Sequence, residues 1–266
     1  MVLGTSRQNA PDAAVTIRRV AADAKGRAEA IEAKLRVIGT PERAVSEKAY
    51  LKSDLEFAGA TVWQIRSVAK EVAGEGPPLG HDELQALVEE LWTKPMHERR
   101  MAAVMLLELH PRLLGMEDLE LVERLVRESK TWALVDGLAT DVVGRIALKH
   151  PAEIASILDR WATDSDFWVR RTALLAELQP LRAGAPFDRF AAHADAMLEE
   201  REFFIRKAIG WVLRETEKRR PDEVIAWLAP RTHRASGITM REAVRHLPEP
   251  DARRLMAAYR ERRTAD

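Results

Sequence analysis

The feature that most constrains this fold is an internal repeat of about 36 residues. Aligned on their charged pairs, the repeats place Arg100, Arg171, Lys207 and Glu242 at intervals of 71, 36 and 35 residues. The stretch TWALVDGLA from 131 fills the longest interval. A period of this length with two helices per unit is typical of HEAT repeats, whose stacked units share one apolar core. The repeated segments are HERRMAAVMLLEL from 97, DFWVRRTALLAEL from 166, EFFIRKAIGWVLRE from 202 and GITMREAVRHL from 237.

Helix-forming residues dominate the chain, and no long stretch alternates between apolar and polar residues as a half-buried strand would. Loop signals such as GTPERA at 39–44, GEGPPLG at 74–80 and RRPDEV at 219–224 separate the segments. We therefore predict an all-α, HEAT-like helical-repeat solenoid with a concave face. Residues 1–12 are predicted to be a disordered extension, and 13–266 a single repeat domain.

Composition excludes several classes of protein. The 266 residues include no cysteine, which rules out disulfides, thiolate metal sites and cysteine nucleophiles and fits a cytoplasmic location. No apolar run approaches the length of a membrane span, and the N-terminus lacks the pattern of a secretory signal. The seven histidines are scattered, and no HExxH, phosphate-binding glycine loop or GxSxG motif occurs. We therefore expect no metal and no organic cofactor.

Charge is distributed unevenly although the net charge is zero. Residues 201–266 contain 16 lysines and arginines against 10 aspartates and glutamates, so the preceding part is acidic. Stacked repeats would bring the pairs Arg99/Arg100, Arg170/Arg171 and Arg206/Lys207 into one row. A basic row on a concave face matches a phosphate backbone, although a solvated helix surface would show the same pattern.

One carboxylate lies within an apolar helical stretch. Asp136 follows Trp132 by four residues, so an indole and a carboxylate share one helix face. Arg171 and Trp211 occur at successive repeats, with Arg214 three residues beyond. Indoles that contact a sugar, an arginine that binds a phosphate and an aspartate that stabilises an oxocarbenium ion would together suit N-glycosidic cleavage. The alternative is a structural aspartate that is satisfied by helix-end amides or by an arginine.

Four other tryptophans are expected to pack in the core. Trp92, Trp161 and Trp227 are assigned to core or interhelical positions, because indoles in a helical-repeat protein are usually buried. Trp168 begins an apolar helix stripe and is given the same role.

Five stretches of the chain resemble the bacterial DNA alkylation repair family of the AlkD type, the HEAT-like-repeat DNA glycosylases. The resemblance runs from about residue 40 to about residue 228. The stretches that carry it are AYLKSDLEFAG (49–59), LWTKPMHERRMAAVMLLE (91–108), TWALVDGLATDVVG (131–144), DFWVRRTALLAEL (166–178) and EFFIRKAIGWVLRE (202–215).

The resemblance implies a basic concave face that binds duplex DNA and an activity that excises cationic alkylpurines such as 3-methyladenine and 7-methylguanine. It further implies that the damaged base is not fully flipped into a pocket. The enzyme would work as a monomer without a cofactor. The family motifs assign catalysis to Asp136, Trp132 and Trp211 and phosphate binding to Arg171, and the other expected DNA contacts are Arg170, Lys207, Arg214 and Tyr50.

The chain departs from the family pattern at two places. The family often reads Trp-Trp-Asp-Thr-Val-Asp, whereas Thr131 and Ala133 replace its first Trp and its first Asp. Its Pro-Phe-Leu-Gly motif here reads Glu56, Phe57, Ala58 and Gly59. Two other functions stay open from the sequence. One is a non-catalytic relative that binds damaged or branched DNA, and the other is a HEAT-type scaffold for protein partners.

Overall fold

The computed structural model describes residues 13–263, and all regular secondary structure in this range is helical. One isolated parallel β-bridge joins Glu56 to Met96. The all-α prediction is therefore confirmed. The predicted extension, residues 1–12, lies outside the described residues. No helix in the described part is both long and apolar enough to cross a membrane.

The chain divides into two compact units at Leu109 and His110. In the first unit, α5 lies at the centre, and its residues 101–107 are all buried. Helices α1, α3 and α4 pack against α5. The helices of this unit are α1 (Ala13–Ile38), α2 (Pro41–Leu51), α3 (Val62–Gly74), α4 (His81–Trp92) and α5 (His97–Leu109).

The second unit continues as short helices that pack on their neighbours along the chain, with α10 and α13 as its most central elements. It has 3-10 turns at Met116–Asp118 and Ala229–Arg231 and a π-helical turn at Leu138–Val143. Its α-helices are α6 (Leu119–Ser129), α7 (Trp132–Gly137), α8 (Gly144–Lys149), α9 (Ala155–Ala162), α10 (Phe167–Leu175), α11 (Leu178–Arg182), α12 (Asp188–Ala196), α13 (Phe203–Glu217), α14 (Pro221–Leu228), α15 (Gly237–Ala243) and α16 (Glu249–Arg263).

Ion pairs in the second unit follow the repeat length. Arg127 bonds Asp164 at a separation of 37 residues, and Arg231 bonds Asp195 at 36. Such pairs join equivalent positions of successive repeats, as expected when helical units stack. The sequence period therefore has a direct counterpart in the contacts.

A buried carboxylate organises the loop that carries Glu56, Phe57, Ala58 and Gly59. Glu98 is fully buried and accepts the backbone N–H groups of Ala58, Gly59 and Ala60 at 3.0, 2.7 and 3.3 Å. Gly59 has φ of +83°, and a Cβ there would lie 2.0 Å from the Thr40 carbonyl oxygen. The loop therefore requires glycine at this position, as the family motif also has.

Burial of the tryptophans agrees with the core assignment. Trp92, Trp161, Trp168 and Trp227 are all buried. The row of exposed cations, by contrast, is wrong for Arg99, which is fully buried and donates to the Leu91 carbonyl and to Glu32.

Candidate functional site

The position of Trp132 is set by a tight turn between α6 and α7. Lys130 ends α6 in the left-handed conformation, with φ of 51°. Thr131 is extended, and its hydroxyl oxygen accepts the Ala133 N–H at 3.5 Å, so α7 begins at Trp132. Thr131 is fully buried. The residue that replaces the family's first Trp thus serves as a helix N-cap.

The helix widens two residues after Asp136, at Leu138. A π-helical turn covers Leu138–Val143 and leads without a break into α8. The Thr140 hydroxyl donates to the Asp136 carbonyl at 2.8 Å. Threonine hydroxyls that bond the carbonyl four residues earlier often distort helices, and π-turns are frequent at functional sites. The local distortion therefore coincides with the carboxylate that the sequence singles out.

Asp136 and Arg171 form a two-bond ion pair across 35 residues. The guanidinium Nε donates to one carboxylate oxygen at 2.8 Å and an Nη donates to the other at 2.9 Å. The Arg171 side chain is 3% exposed, whereas that of Asp136 is 19% exposed. The carboxylate is thus held by a buried cation but keeps access to solvent. Because its partner is a cation, this carboxylate is a poor candidate for binding a metal ion.

The start of α13 holds Arg171 on its other side. The second Nη donates to the Phe204 carbonyl at 2.5 Å, and the Phe204 ring lies 5.7 Å from the guanidinium carbon. That ring packs in turn on Trp168 at a centroid distance of 4.8 Å. Three of the five guanidinium N–H donors are thereby used, so two remain. A phosphate would have to reach them at a nearly buried side chain.

The two predicted indoles lie on α7 and α13, which both pack against α10. Trp132 shares a face of the α7 segment with Asp136, four residues away, and is half-buried. Trp211 is half-buried on α13, the helix whose first turn supplies the Phe204 carbonyl to Arg171. Asp136, Trp132, Arg171 and Trp211 thus all belong to the second unit.

The other predicted DNA-binding cations of this unit are engaged within the chain. Arg170 donates to both oxygens of Glu200, at 2.9 and 2.8 Å. Arg214 and Lys207 both bond Glu242, the latter at 3.5 Å.

Tyr50 lies apart, in the first unit. It is 72% exposed near the end of α2, a helix whose one buried residue is Leu51. Trp63, at the second position of α3, is 76% exposed and was not predicted as a surface residue. Such exposure of an indole was not foreseeable from sequence, because tryptophan is usually buried.

Sequence reasoning missed three residues that shape the site. Phe204 supplies a carbonyl oxygen, which no side-chain pattern reveals. Glu200 pairs with Arg170 from a loop between repeats. Glu242 could have been found, because the repeat alignment already places it opposite Lys207, 35 residues earlier.

Comparison with known proteins identifies a family that matches most of this chain. A family described as DNA alkylation repair enzyme matches residues 31–247. No match was found among curated proteins.

Two solved structures share the fold. A structure titled as a predicted DNA alkylation repair enzyme from Enterococcus faecalis is 25% identical, with a TM-score of 0.71, and the match covers 79% of this chain and 97% of that one. AlkD2 from Streptococcus mutans is 18% identical, with a TM-score of 0.54, over 78% of this chain and 99% of that one. Both matches extend over nearly the whole of the related chains.

Proposed function

The chain belongs to the DNA alkylation repair enzyme family, and we propose that it is a monofunctional DNA glycosylase. Its proposed substrates are cationic alkylated purines, such as 3-methyladenine and 7-methylguanine, in duplex DNA. The family match covers residues 31–247 of this chain, a range that contains the catalytic candidates Asp136, Trp132 and Trp211.

The observation that carries this proposal is the oriented, partly exposed carboxylate of Asp136. Cleavage of the N-glycosidic bond sends its electron pair to the alkylated purine, which leaves as a neutral base. The sugar becomes an oxocarbenium ion, and water then adds to its anomeric carbon with loss of a proton. A negative charge beside that carbon stabilises the ion, or orients the attacking water. No general acid is required, because the leaving base already carries a positive charge.

Arg171 is proposed to hold the carboxylate rather than to act on the sugar. Its two bonds to Asp136 and its bond to the Phe204 carbonyl fix the oxygens in one orientation. Because the guanidinium is 3% exposed, it offers little surface to a phosphate in this arrangement. Two of its N–H donors remain for a phosphate. The phosphate contact that the family resemblance implies for Arg171 stays a prediction, and it would require a small movement of the side chain.

The two indoles are proposed to pack against the deoxyribose on either side. Trp132 lies one turn from Asp136, and Trp211 lies on the helix that anchors Arg171. An indole face near a cationic sugar adds electrostatic stabilisation. Contact with the sugar rather than with the base would allow excision without full base flipping.

Phosphates flanking the lesion are proposed to contact Arg170, Lys207 and Arg214, and Tyr50 is proposed as a further DNA contact from the first unit. The enzyme would act as a monomer in the cytoplasm, where bacterial DNA is found.

The test is the release of bases from methylated duplex DNA. Purified protein should free 3-methyladenine and 7-methylguanine and leave abasic sites, which are counted separately by strand cleavage with alkali. Release that requires the folded protein supports the proposal. If methylated DNA is bound but no base is released, the glycosylase proposal is refuted.

One observation favours a second candidate, a non-catalytic protein that binds damaged or branched DNA. Asp136 is paired with Arg171 within the chain, which is also what a purely structural aspartate would show. The two functions differ in the products of the base-release assay, because a binder shows salt-sensitive association without abasic sites.

A further inference from the structure

We infer that Glu242 occupies the position of a DNA phosphate on α13 and thereby sets the affinity of the protein for DNA. The inference rests on the proposed function, since it takes duplex DNA as the ligand of this surface. It assigns a role to Glu242, which is not among the site residues predicted from the sequence.

Helix α13 presents one stripe that alternates aromatic and basic side chains. Phe203, Lys207, Trp211 and Arg214 follow one another at intervals of four, four and three residues, so they share a face. Phe203 is 48% exposed, and the Lys207 side chain is 45% exposed. Cations that alternate with aromatic rings are typical of surfaces that bind nucleic acid.

Glu242 of α15 lies against this stripe and bonds both of its cations. Its carboxylate accepts from Arg214 and, through the other oxygen, from the Lys207 ammonium at 3.5 Å. These two residues flank Trp211 on the helix. Glu242 thus bridges the cations on either side of Trp211, the indole proposed to contact the sugar. A phosphate oxygen in the same position would make the same bonds.

The placement of Glu242 is fixed by the backbone. At Gly210 a Cβ would lie 2.7 Å from the Glu242 Cβ and 3.1 Å from the Thr239 carbonyl oxygen, so glycine allows α15 to approach this closely. The Thr239 hydroxyl donates to the Arg206 carbonyl at 3.0 Å, which ties the two helices together. Glu242 is therefore built into the surface and does not reach it by chance.

A phosphate that binds Lys207 and Arg214 must compete with this carboxylate. Its side chain is only 17% exposed, so the pairs are partly shielded from water and from salt. The competition lowers affinity for any duplex, including undamaged DNA. It is also consistent with a DNA-binding protein whose formal net charge is zero.

The experiment measures binding of a labelled, undamaged duplex by wild type and by Glu242→Gln across a series of salt concentrations. The variant should bind roughly tenfold more tightly at low salt, and its plot of log affinity against log salt should be steeper by about 1 to 2, because each freed cation contributes about 0.9 per phosphate. A change of slope reports phosphate contacts, which a merely structural role for Glu242 would not alter.

Glu249→Gln is the matched control. It makes the same change in charge on α16, where Glu249 is 77% exposed and, within residues 13–263, pairs with the similarly exposed Arg253. A slope for Glu242→Gln that equals the slope of this control overturns the inference. Weaker binding by Glu242→Gln also overturns it, since that would show that Glu242 supports the cations rather than competing for them.

A double-mutant comparison tests the same competition through Lys207 and does not depend on the salt slope. Lys207→Gln should weaken binding more when it is added to Glu242→Gln than when it is made in the wild type, and equal effects in both backgrounds would contradict competition. Circular dichroism and thermal unfolding establish that each variant is folded. Base release, followed in parallel, separates the two proposals: excision with an unchanged slope refutes only the role of Glu242, whereas binding without excision refutes only the glycosylase.

Discussion

Replacing Asp136 with asparagine removes one negative charge and keeps the shape of the side chain. In the wild type the charges of Asp136 and Arg171 offset each other, and their atoms lie 2.8 and 2.9 Å apart. In the variant the buried guanidinium is left without a counter-charge, so a cationic transition state meets a local charge that is more positive by one.

The size of the effect follows from Coulomb's law. With an effective dielectric constant of about 20 and a separation of about 5 Å, one unit charge contributes about 3 kcal/mol. A loss of this size slows the chemical step about a hundredfold, and the unpaired Arg171 adds further to the barrier. We therefore expect a decrease in the excision rate of between about a hundredfold and about a thousandfold.

Stability must be measured in the same variant, because Arg171 is 3% exposed and loses a charged partner. Asparagine can still accept one hydrogen bond from the guanidinium, and the cost should be about 1–3 kcal/mol. Asp164→Asn is a suitable control, since Asp164 accepts two bonds from Arg127 at 2.9 and 2.6 Å and is 14% exposed. It should keep its excision rate and lose no more stability than Asp136→Asn, because Arg127 is 36% exposed and keeps its bond to Glu123.

The assay is single-turnover release of 7-methylguanine, with protein in excess over methylated duplex and below the temperature at which either variant unfolds. Binding of the same duplex is measured alongside and should change little. If folded Asp136→Asn excises at the wild-type rate, the electrostatic role of this carboxylate is refuted. If Asp164→Asn loses excision equally, the effect belongs to stability rather than to catalysis.

Three further predictions concern the scaffold. Burial raises the pKa of Glu217 to about 7. Its contribution to the free energy of unfolding is therefore greatest below pH 4.5 and is lost as the pH rises through 7. In urea unfolding, Glu217→Gln should be more stable than wild type by about 2–3 kcal/mol at pH 8 and nearly equal to it at pH 4.5. The pKa of Glu123 is lowered to about 2, chiefly by hydrogen bonds from Arg160. Glu123→Gln should therefore lower the free energy of unfolding by about 1–3 kcal/mol at pH 7. This difference from wild type should shrink below pH 4, where acid protonates the wild-type carboxylate. Gly59→Ala should lower the free energy of unfolding by about 2–4 kcal/mol. Gly184→Ala should lower it by about 1 kcal/mol, because Gly184 also has a positive φ, of +93°, but nothing lies within 4 Å of a new Cβ. Equal losses in thermal unfolding would show that left-handed backbone strain dominates rather than the contact with Thr40.

The apolar periodicity of the chain was enough to predict helices and their repeat. A stripe of residues that recurs every three or four positions must bury one helix face, and a period near 36 brings equivalent positions of successive units together. For that reason the proximity of Asp136 and Arg171 could be anticipated from their spacing of 35 residues. The burial of Trp92, Trp161 and Trp227 was expected for a different reason, since indoles in a helical-repeat protein are usually buried.

The electrostatic partners depended on the tertiary structure. A charged residue beside an apolar stripe faces either solvent or a neighbouring helix, depending on small rotations of its own helix. The local sequence does not determine these rotations. Arg99 is thereby fully buried, and Arg170 bonds Glu200 across 30 residues. Four cations of the predicted row, Arg99, Arg170, Arg171 and Lys207, form ion pairs within the chain, which lowers the expected affinity of the row for phosphate.

Sequence by itself determined an all-helical repeat chain and the shared helix face of Trp132 and Asp136, because both follow from local spacing. Tertiary structure alone decided which carboxylate each cation meets, how exposed Asp136 remains, and how closely α15 approaches Gly210. These properties depend on the distances between segments that are far apart in the chain, and such distances are set by the packing of whole helices rather than by any one of them.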